Sequence, residues 1–254
     1  MNKYETFLKQ RKLINSGMTS SVYFWNGYAY KCFIDNYPED WIEYEYKTQK
    51  QIAKSKLNIA KYYRSEFKHT LKMDYIKGKS LASKFNENNK DLLLDSFINE
   101  FIKVHKVKNL DLENLSEFLK SQIEKAPVST QQKNKAKKYI KEIEKQVKED
   151  DTLCHMDYHF LNTMVSNKQI YIVDWVDARN GKAIYDYART YVMIYEYAAG
   201  FKQGYLKRIL AMNLYSKEVF EKAVYVNAIN RLEECDDKRV RKLIELIEAN
   251  KWRP

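Results

Sequence analysis

The chain has 254 residues, of which 44% are hydrophobic and 14% aromatic, so it can bury a sizeable core and is not disordered throughout. With only 6 Gly and 3 Pro, the composition excludes collagen-like, low-complexity and turn-rich all-β architectures and favours long helices. The formal net charge of +11 favours anionic partners such as nucleotides, although a solvated, lysine-rich surface explains the same excess.

Cysteine usage and the N-terminus indicate the compartment. Cys32, Cys154 and Cys235 lie far apart and form no CxxC pair, which is typical of reduced thiols in a cytoplasmic protein. The chain contains no run of roughly eighteen apolar residues, the length needed for a membrane span. The N-terminus also lacks the apolar core of a signal peptide. We therefore expect a cytoplasmic protein without a membrane partner.

The first part of the chain predicts short strands. Val22–Trp25 and Tyr28–Phe33 are strand-like, and Asn26-Gly27 between them is a strong signal for a two-residue hairpin. Before this hairpin, Ser16–Ser21 forms a loop of small residues. Phe67–Met73 predicts a further strand.

One helix is predicted among these strands. Pro38 followed by two acidic residues is typical of a helix start. Helical spacing then places Trp41, Glu45, Thr48 and Ile52 on one face, directed at the core. A carboxylate on that face needs a cationic partner if it is buried.

Residues from about 80 to 150 predict helices, with one apolar stripe formed by Leu92, Leu93, Phe97, Phe101 and Val104. Five lysines between Lys133 and Lys141 lie on the last of these helices. We interpret them as a solvated face. The alternative is a nucleic-acid contact, but only Tyr139 interleaves there as a stacking residue, so we expect no nucleic-acid partner.

The chain then returns to strands before a helical end. Thr163–Val165, a turn at Asn167-Lys168, and Ile170–Val173 predict a hairpin, and residues from about 185 to 250 are helical in pattern. The order is a small β-rich lobe, a helical stretch, an inserted hairpin and a helical end. A cleft is expected between the lobes.

The residues around this hairpin suggest chemistry. Asp157 is followed five residues later by Asn162 and twelve residues after that by Asp174, which ends an apolar strand. The hairpin brings Asn162 and Asp174 together at one end of the sheet. Mg²⁺ takes one or two such oxygen ligands from protein and fills its shell with phosphate and water. Asp157, on the preceding loop, is free to accept a proton from an incoming hydroxyl.

The pattern His155-x-Asp157-x4-Asn162, followed by Ile172-Val173-Asp174-Trp175, resembles the aminoglycoside phosphotransferase and choline kinase family. The one departure is Met156, where family members often have Gly. The resemblance spans roughly residues 15 to 190. It implies an α+β, protein-kinase-like fold with two lobes: a β-rich nucleotide-binding lobe over residues 1–76, and a larger, mainly helical lobe over 77–254 with the catalytic hairpin and the acceptor site.

The resemblance also implies roles for individual residues. Asp157 would be the catalytic base, and Asn162 and Asp174 would hold Mg²⁺. Lys31 would bind the nucleotide phosphates and pair with Glu45, with Glu43 as the alternative partner. Asp186 would brace the catalytic loop. The residues expected at the nucleotide are Gly17, Thr19, Ser20, Lys31, Glu45, Asp74 and Ile76, with the backbone of 74–76 at the adenine.

These roles predict a monomeric phosphotransferase that moves the γ-phosphate of ATP or GTP to a hydroxyl of a small molecule. The acceptor is either an aminoglycoside or an endogenous alcohol such as choline, an amino alcohol or a sugar. A cationic acceptor would need carboxylates, and one candidate cluster is Glu233, Glu234, Asp236 and Asp237, which is otherwise an ordinary solvated helix end. The alternative function is a non-catalytic, nucleotide-binding module with the same fold.

Overall fold

In a computed structural model, which describes residues 2–252, the chain divides into two compact units. The first consists of the chain up to Lys84 together with Leu161–Val176, and the second of Phe85–Phe160 together with Asp177 onward. The sequence-based boundary after residue 76, and the assignment of nucleotide and acceptor to separate lobes, stay predictions. Over residues 2–252, no helix combines the length and the apolar character that a membrane crossing requires.

The first unit is built on an antiparallel sheet. Its strands are β1 (Lys12–Ser16), β2 (Ser20–Trp25), β3 (Tyr28–Phe33), β4 (Tyr62–Arg64) and β5 (Thr70–Asp74). They lie in the order β1-β2-β3-β5-β4, so β3 is central. The predicted hairpin is confirmed: Trp25 pairs with Tyr28, and Asn26 and Gly27 close the turn at φ of 45° and 82°. Both values lie in the left-handed region, which Asn and Gly adopt most readily.

Helices cover both faces of this sheet. On one face α1 (Lys3–Gln10), which the sequence analysis did not predict, packs Phe7 against Trp25, Tyr30 and Phe67. Its N-terminus is fixed by a capping box between Asn2 and Glu5. The other face is covered by α2 (Glu39–Ile52).

The face that α2 buries differs from the prediction at one residue. Glu45, Thr48 and Ile52 are buried as expected, but Trp41 is exposed and Ile42 takes its place, packed in a cluster with Phe33 and Leu71. Trp41 lies in the first turn, where it contacts Tyr44 instead of the sheet. The apolar stripe therefore begins one residue later than its spacing suggested.

The predicted hairpin after Asn162 belongs to this first unit. It consists of β8 (Thr163–Ser166) and β9 (Gln169–Ile172), and β8 also pairs with the short strand β6 (Lys79–Ser80), which a 3₁₀ turn over Leu81–Lys84 follows. Gly78 makes this second pairing possible, because a Cβ atom there would lie 2.3 Å from the carbonyl oxygen of Val165.

The second unit is mainly helical. A short ladder of β7 (Thr152–Cys154) and β10 (Arg179–Gly181) connects its helices. The apolar stripe of α3 includes Leu94, whereas Leu92 is exposed, contrary to the prediction. α8 is buried around most of its circumference and is therefore the central helix of this unit. The helices are α3 (Lys90–Val104), α4 (Leu115–Lys125), α5 (Thr130–Gln146), α6 (Ala183–Tyr197), α7 (Lys202–Ala211), α8 (Lys217–Glu234) and α9 (Lys238–Glu248), with a 3₁₀ turn at Ala199–Phe201.

Candidate active site

A cavity of about 400 Å³ opens beside the central strand of the first unit. All of its lining residues belong to that unit. Ligand sites typically measure roughly 300–1,000 Å³, so the cavity can admit a small molecule or cofactor. Its wall includes every residue that the sequence analysis assigned to the nucleotide or the metal: Gly17, Thr19, Ser20, Lys31, Glu45, Asp74, Ile76, Asn162 and Asp174.

Lys31 joins two of the carboxylates in this wall. Its Nζ donates to both carboxylate oxygens of Glu45, at 2.8 and 3.0 Å, and to Oδ1 of Asp174 at 3.2 Å. Tyr62 also donates from its hydroxyl to Glu45. The predicted ion pair between Lys31 and Glu45 is therefore present, and a third charged group shares it.

Electrostatics keep this lysine charged. Burial alone would lower the pKa of Lys31, but the carboxylates of Asp174 and Glu45 outweigh burial and raise it above its usual value. Lys31 in turn opposes the effect of burial on Glu45, but burial is the larger effect and leaves the pKa of Glu45 above its usual value. Lys31 is thus an ammonium group at neutral pH, in a position to exchange a carboxylate for a phosphate.

Glu43, the alternative partner, faces elsewhere. It forms a two-point ion pair with Arg64 on β4, with N–O distances of 2.5 and 2.8 Å. This pair is solvent-exposed, whereas the Lys31–Glu45 pair is almost completely buried. The choice between the two glutamates, which the sequence left open, is therefore settled in favour of Glu45.

Asn162 and Asp174 flank the open end of the β8–β9 hairpin. Thr163 pairs with Ile172, and the amide of Val173 donates to the carbonyl of Asn162 at 3.0 Å, so the ladder continues to the two side chains. Asp174 has a φ of 62°, in the left-handed region that Asp tolerates better than most residues. An amide oxygen and a carboxylate on one cavity wall are hard oxygen donors, and they fit Mg²⁺.

The loop between β1 and β2 forms another part of the wall. The amide of Gly17 donates to the carbonyl of Ser20 at 2.8 Å, and the carbonyl of Thr19 accepts from the amide of Ile34 at 3.1 Å. These bonds hold the loop as a tight turn. At the opposite end, the carboxylate of Asp74 accepts from the amide of Lys61 and the hydroxyl of Tyr63. Because both carboxylate oxygens of Asp74 already accept hydrogen bonds, a contact with a nucleobase at this position would have to come from the backbone.

In the second unit, Asp157 lies on the loop after β7. Its amide donates to Nδ1 of the fully buried His155, and its carboxylate lies 3.4 Å from Nε2 of His159. His155 therefore helps to hold the backbone of this loop. Burial would raise the pKa of Asp157, but the hydrogen bond and charge of His159 outweigh it and hold that pKa below its usual value. Asp157 is consequently ionised at neutral pH.

The helix α6 supports this loop through three side chains. The carboxylate of Asp186 accepts from the amides of His155 and Met156 at 2.6 and 2.8 Å, which is the predicted brace. Two further contacts were not predicted. Nε of Arg189 donates to the carbonyl of Met156 at 3.2 Å, and the hydroxyl of Thr190 donates to that of Tyr158 at 2.9 Å. Their spacing from Asp186, three and four residues, was the available signal.

Asp177 is a second carboxylate that the sequence analysis missed. In the antiparallel β7–β10 ladder Arg179 pairs with Cys154. Asp157, which comes after β7, and Asp177, which comes before β10, therefore lie at the same end of the ladder. Asp177 is exposed and makes no hydrogen bond or ion pair with any residue between 2 and 252. Although its side chain reaches solvent, the surrounding protein atoms partly desolvate its carboxylate, and this desolvation, together with the charge of Asp157, raises the pKa of Asp177 to about 6. Its position three residues after Asp174 gave no periodic signal.

One buried cluster has the side chains of a metal site. Ligand atoms of His105, Cys154 and Asp186 lie within 4.8 Å of one another. However, Asp186 already accepts from two amides and contacts Nε2 of His105 at 3.0 Å. Burial raises the pKa of the Cys154 thiol well above its usual value, whereas a metal binds the thiolate. We therefore interpret these three side chains as a structural cluster that helps to hold the loop carrying Asp157.

The acidic cluster at the end of α8 is largely paired with arginines. Glu234 accepts from Arg189 and Arg231. Asp236 pairs with Arg241, and Asp237 pairs with Arg239 while it caps α9. Most of its charge is therefore neutralised within the chain, as expected for a structural helix end.

Comparison with known proteins gives a consistent answer. The model of the phosphotransferase enzyme family named APH matches residues 12–217. A search of curated protein sequences finds no match. Among solved structures, a thermostable mutant of the aminoglycoside phosphotransferase APH(4)-Ia, in complex with ADP and hygromycin B, has a TM-score of 0.69 at 10% identity, covering 97% of this chain and 96% of that one.

Two other structures have the same fold. A choline/ethanolamine kinase family protein from Mesorhizobium loti matches with a TM-score of 0.64 at 12% identity, over 96% of this chain and 88% of its own. The amicoumacin kinase hAmiN, in complex with AMP-PNP, Ca²⁺ and Ami, matches with a TM-score of 0.63 at 13% identity, over 98% and 94%. These similarities confirm the predicted α+β, protein-kinase-like fold.

Proposed function

Because the chain belongs to the phosphotransferase enzyme family, we propose that it transfers the γ-phosphate of ATP or GTP to a hydroxyl of a small molecule. The observation that carries this proposal is the convergence of nine residues, predicted from the sequence, on one cavity of about 400 Å³. Those residues come from six stretches of sequence between Gly17 and Asp174. A binding site selected for another purpose would have no reason to combine them.

Each group has a role in the proposed reaction. Lys31 binds the α- and β-phosphates and keeps Glu45 as its partner, while the turn at Gly17–Ser20 offers amides and hydroxyls to the phosphates. Asn162 and Asp174 hold Mg²⁺ through an amide oxygen and a carboxylate. When bound, the ion supplies positive charge that offsets the charge of the phosphates.

Asp157 orients the acceptor and removes its proton. Its low pKa makes it a weak base, which suits a loose transition state in which proton removal occurs late. The acceptor hydroxyl therefore donates a hydrogen bond to Asp157 before transfer. It gives up its proton to Asp157 as its oxygen bonds to the γ-phosphorus, while the bond from that phosphorus to the β–γ bridging oxygen breaks and the nucleoside diphosphate leaves.

Asp177 is our candidate for a second contact to the acceptor. It is exposed, forms no ion pair with another residue between 2 and 252, and lies at the same end of the β7–β10 ladder as Asp157. A hydroxyl or ammonium group next to the reacting hydroxyl can donate to it. This favours amino alcohols, sugars and aminoglycosides, and one structural neighbour is a complex of an aminoglycoside phosphotransferase with ADP and hygromycin B.

The test is phosphate transfer from labelled ATP and GTP, with Mg²⁺, across a panel of hygromycin B, choline, ethanolamine, sugars and nucleosides. The Asp157→Ala variant is the control. We expect transfer to one acceptor class that this variant loses, with nucleotide binding retained. Nucleotide binding without transfer to any acceptor would favour the non-catalytic module, and absence of nucleotide binding would refute the proposal.

A further inference from the structure

Three side chains on one face of α6 hold the backbone of the catalytic loop. Asp186, Arg189 and Thr190 are spaced at i, i+3 and i+4, so they project from adjacent turns. Their contacts cover the loop from the amide of His155 to the carbonyl of Tyr158. Arg189 is the cation in this set, and it is almost completely buried.

Met156 is the residue on which this support converges. Its φ of 64° is left-handed, a conformation that costs an unbranched residue other than Gly, Asn or Asp free energy. Both peptide groups around it are held: its amide donates to Asp186 at 2.8 Å, and its carbonyl accepts from Arg189 at 3.2 Å. Since Asp157 follows directly, the peptide that Arg189 holds also sets the direction of the Asp157 side chain.

Arg189 is itself fixed from the other side. Its Nη2 forms an ion pair with Glu234, and Glu234 also accepts from Arg231, which pairs with Glu196 on α6 at 2.7 Å. Nη1 of Arg189 is buried and has no hydrogen-bond partner among residues 2–252. Both N–H groups of this buried nitrogen therefore lack an acceptor in that range, which is uncommon for a buried polar group. Its charge acts on both Asp157 and Asp177.

We propose that Arg189 is a positioning residue of the transfer reaction, which acts through the peptide of Met156 to orient Asp157 toward the acceptor. The inference rests on the proposed function, because Asp157 must be the catalytic base.

The test is a double-mutant cycle between Arg189 and Met156. Arg189→Met should lower kcat roughly 10- to 100-fold, the loss expected when a catalytic group is displaced by about 1 Å. Because the charge of Arg189 lowers the pKa of Asp157, the acid limb of kcat/KM should also move to higher pH. Arg189→Lys keeps the charge but loses the two-point contact, so kcat should fall while the limb stays in place.

Met156→Gly distinguishes positioning from simple stability. In that background the loop adopts the left-handed conformation without help, so Arg189→Met should reduce kcat several-fold less than it does in the parent chain. Equal losses in both backgrounds, or an unchanged kcat and acid limb alongside a lower unfolding midpoint, would overturn the proposal. Arg189→Lys also serves where Arg189→Met fails to fold.

A readout that does not need turnover separates this inference from the proposed function. NMR titration of the Asp157 carboxyl, with Asp157→Asn to assign its signal, should show a higher pKa in Arg189→Met than in the parent chain and no change in Arg189→Lys. A parent chain that transfers phosphate to nothing would refute the proposed function. An unchanged pKa of Asp157 in Arg189→Met would refute the inference about Arg189 alone.

Discussion

Replacing Glu45 with Gln separates the buried ion pair from the exposed one on the same helix. The substitution keeps the size of the side chain but removes its charge. Lys31 then remains buried, with 12% of its side chain exposed, and among residues 2–252 it retains one carboxylate partner, Asp174. Breaking a buried pair by removing one partner costs about 3–5 kcal/mol, and the remaining contact to Asp174 reduces that to about 2–4 kcal/mol.

Glu43→Gln is the matched control, since it lies two residues earlier on α2 and pairs with Arg64 at a comparable distance. The Arg64 side chain is 62% exposed, so water screens this pair, and its loss should cost less than about 1 kcal/mol. Urea unfolding followed by tryptophan fluorescence suits the comparison, because Trp25, Trp41 and Trp175 all lie in the first unit.

The pH dependence gives a second check on the same pair. The pKa of Lys31 is higher in the folded state than the value of 10.5 that an unperturbed lysine has. The contribution of Lys31 to the free energy of unfolding is therefore complete below pH 10.5 and is lost as the pH rises beyond that value. The parent chain should therefore lose more stability above this pH than Glu45→Gln does. If the two glutamine variants are equally stable at pH 7, the buried pair contributes nothing beyond a surface contact and the reasoning is wrong.

Three other experiments test the site and the fold. Asp174→Ala should abolish turnover and weaken Mg²⁺-dependent nucleotide binding by calorimetry, whereas Asp157→Ala should abolish turnover alone; full activity in either variant contradicts the assignment. The pKa of Asp177 is raised to about 6, so its favourable contribution to the free energy of unfolding is complete below pH 3.8, the pKa of an unperturbed Asp, and is lost as the pH rises through 6. Asp177→Asn should therefore become more stable relative to the parent chain between about pH 4 and 7. Parallel curves of unfolding free energy against pH for the two proteins would argue against the raised pKa. Gly78→Ala places a Cβ 2.3 Å from the carbonyl oxygen of Val165 and should lower the free energy of unfolding by about 2–4 kcal/mol. The control Gly17→Ala, whose Cβ would have its nearest neighbour at 3.6 Å, should lower it by less than about 1 kcal/mol. Equal losses would mean that strands β6 and β8 move apart to accommodate the Cβ.

The parts of the fold that the sequence predicted well depend on short-range rules. The hairpin at Asn26-Gly27 follows from turn chemistry, and the α2 start at Pro38 follows from capping. The hairpin between Asn162 and Asp174 could be predicted for a similar reason, since alternating apolar residues flank a polar turn. Lys31 was identifiable because a charge in the middle of an apolar strand needs a partner.

Long-range pairing explains what the sequence did not reveal. β7 and β10 are three residues each and lie 25 positions apart, too short and too distant for any periodic pattern. Asp177 could not be placed beside Asp157 without that ladder. In the same way, α1 is a mixed run of charged and apolar residues whose single buried member, Phe7, gives no stripe to detect.

Net charge and local charge have different consequences for this protein. The net charge of +11 attracts a polyanionic triphosphate over distances up to about 10 Å, the range at which salt screens exposed charges. Recognition of the acceptor occurs within hydrogen-bond distance, where only unpaired groups count. Arginines neutralise Glu234, Asp236 and Asp237. The carboxylate of Asp177 takes part in none of these ion pairs, and in our proposal it binds the acceptor. In our proposal a basic protein therefore still binds an acceptor that carries ammonium or hydroxyl groups, and it does so at Asp157 and Asp177 rather than at the end of α8.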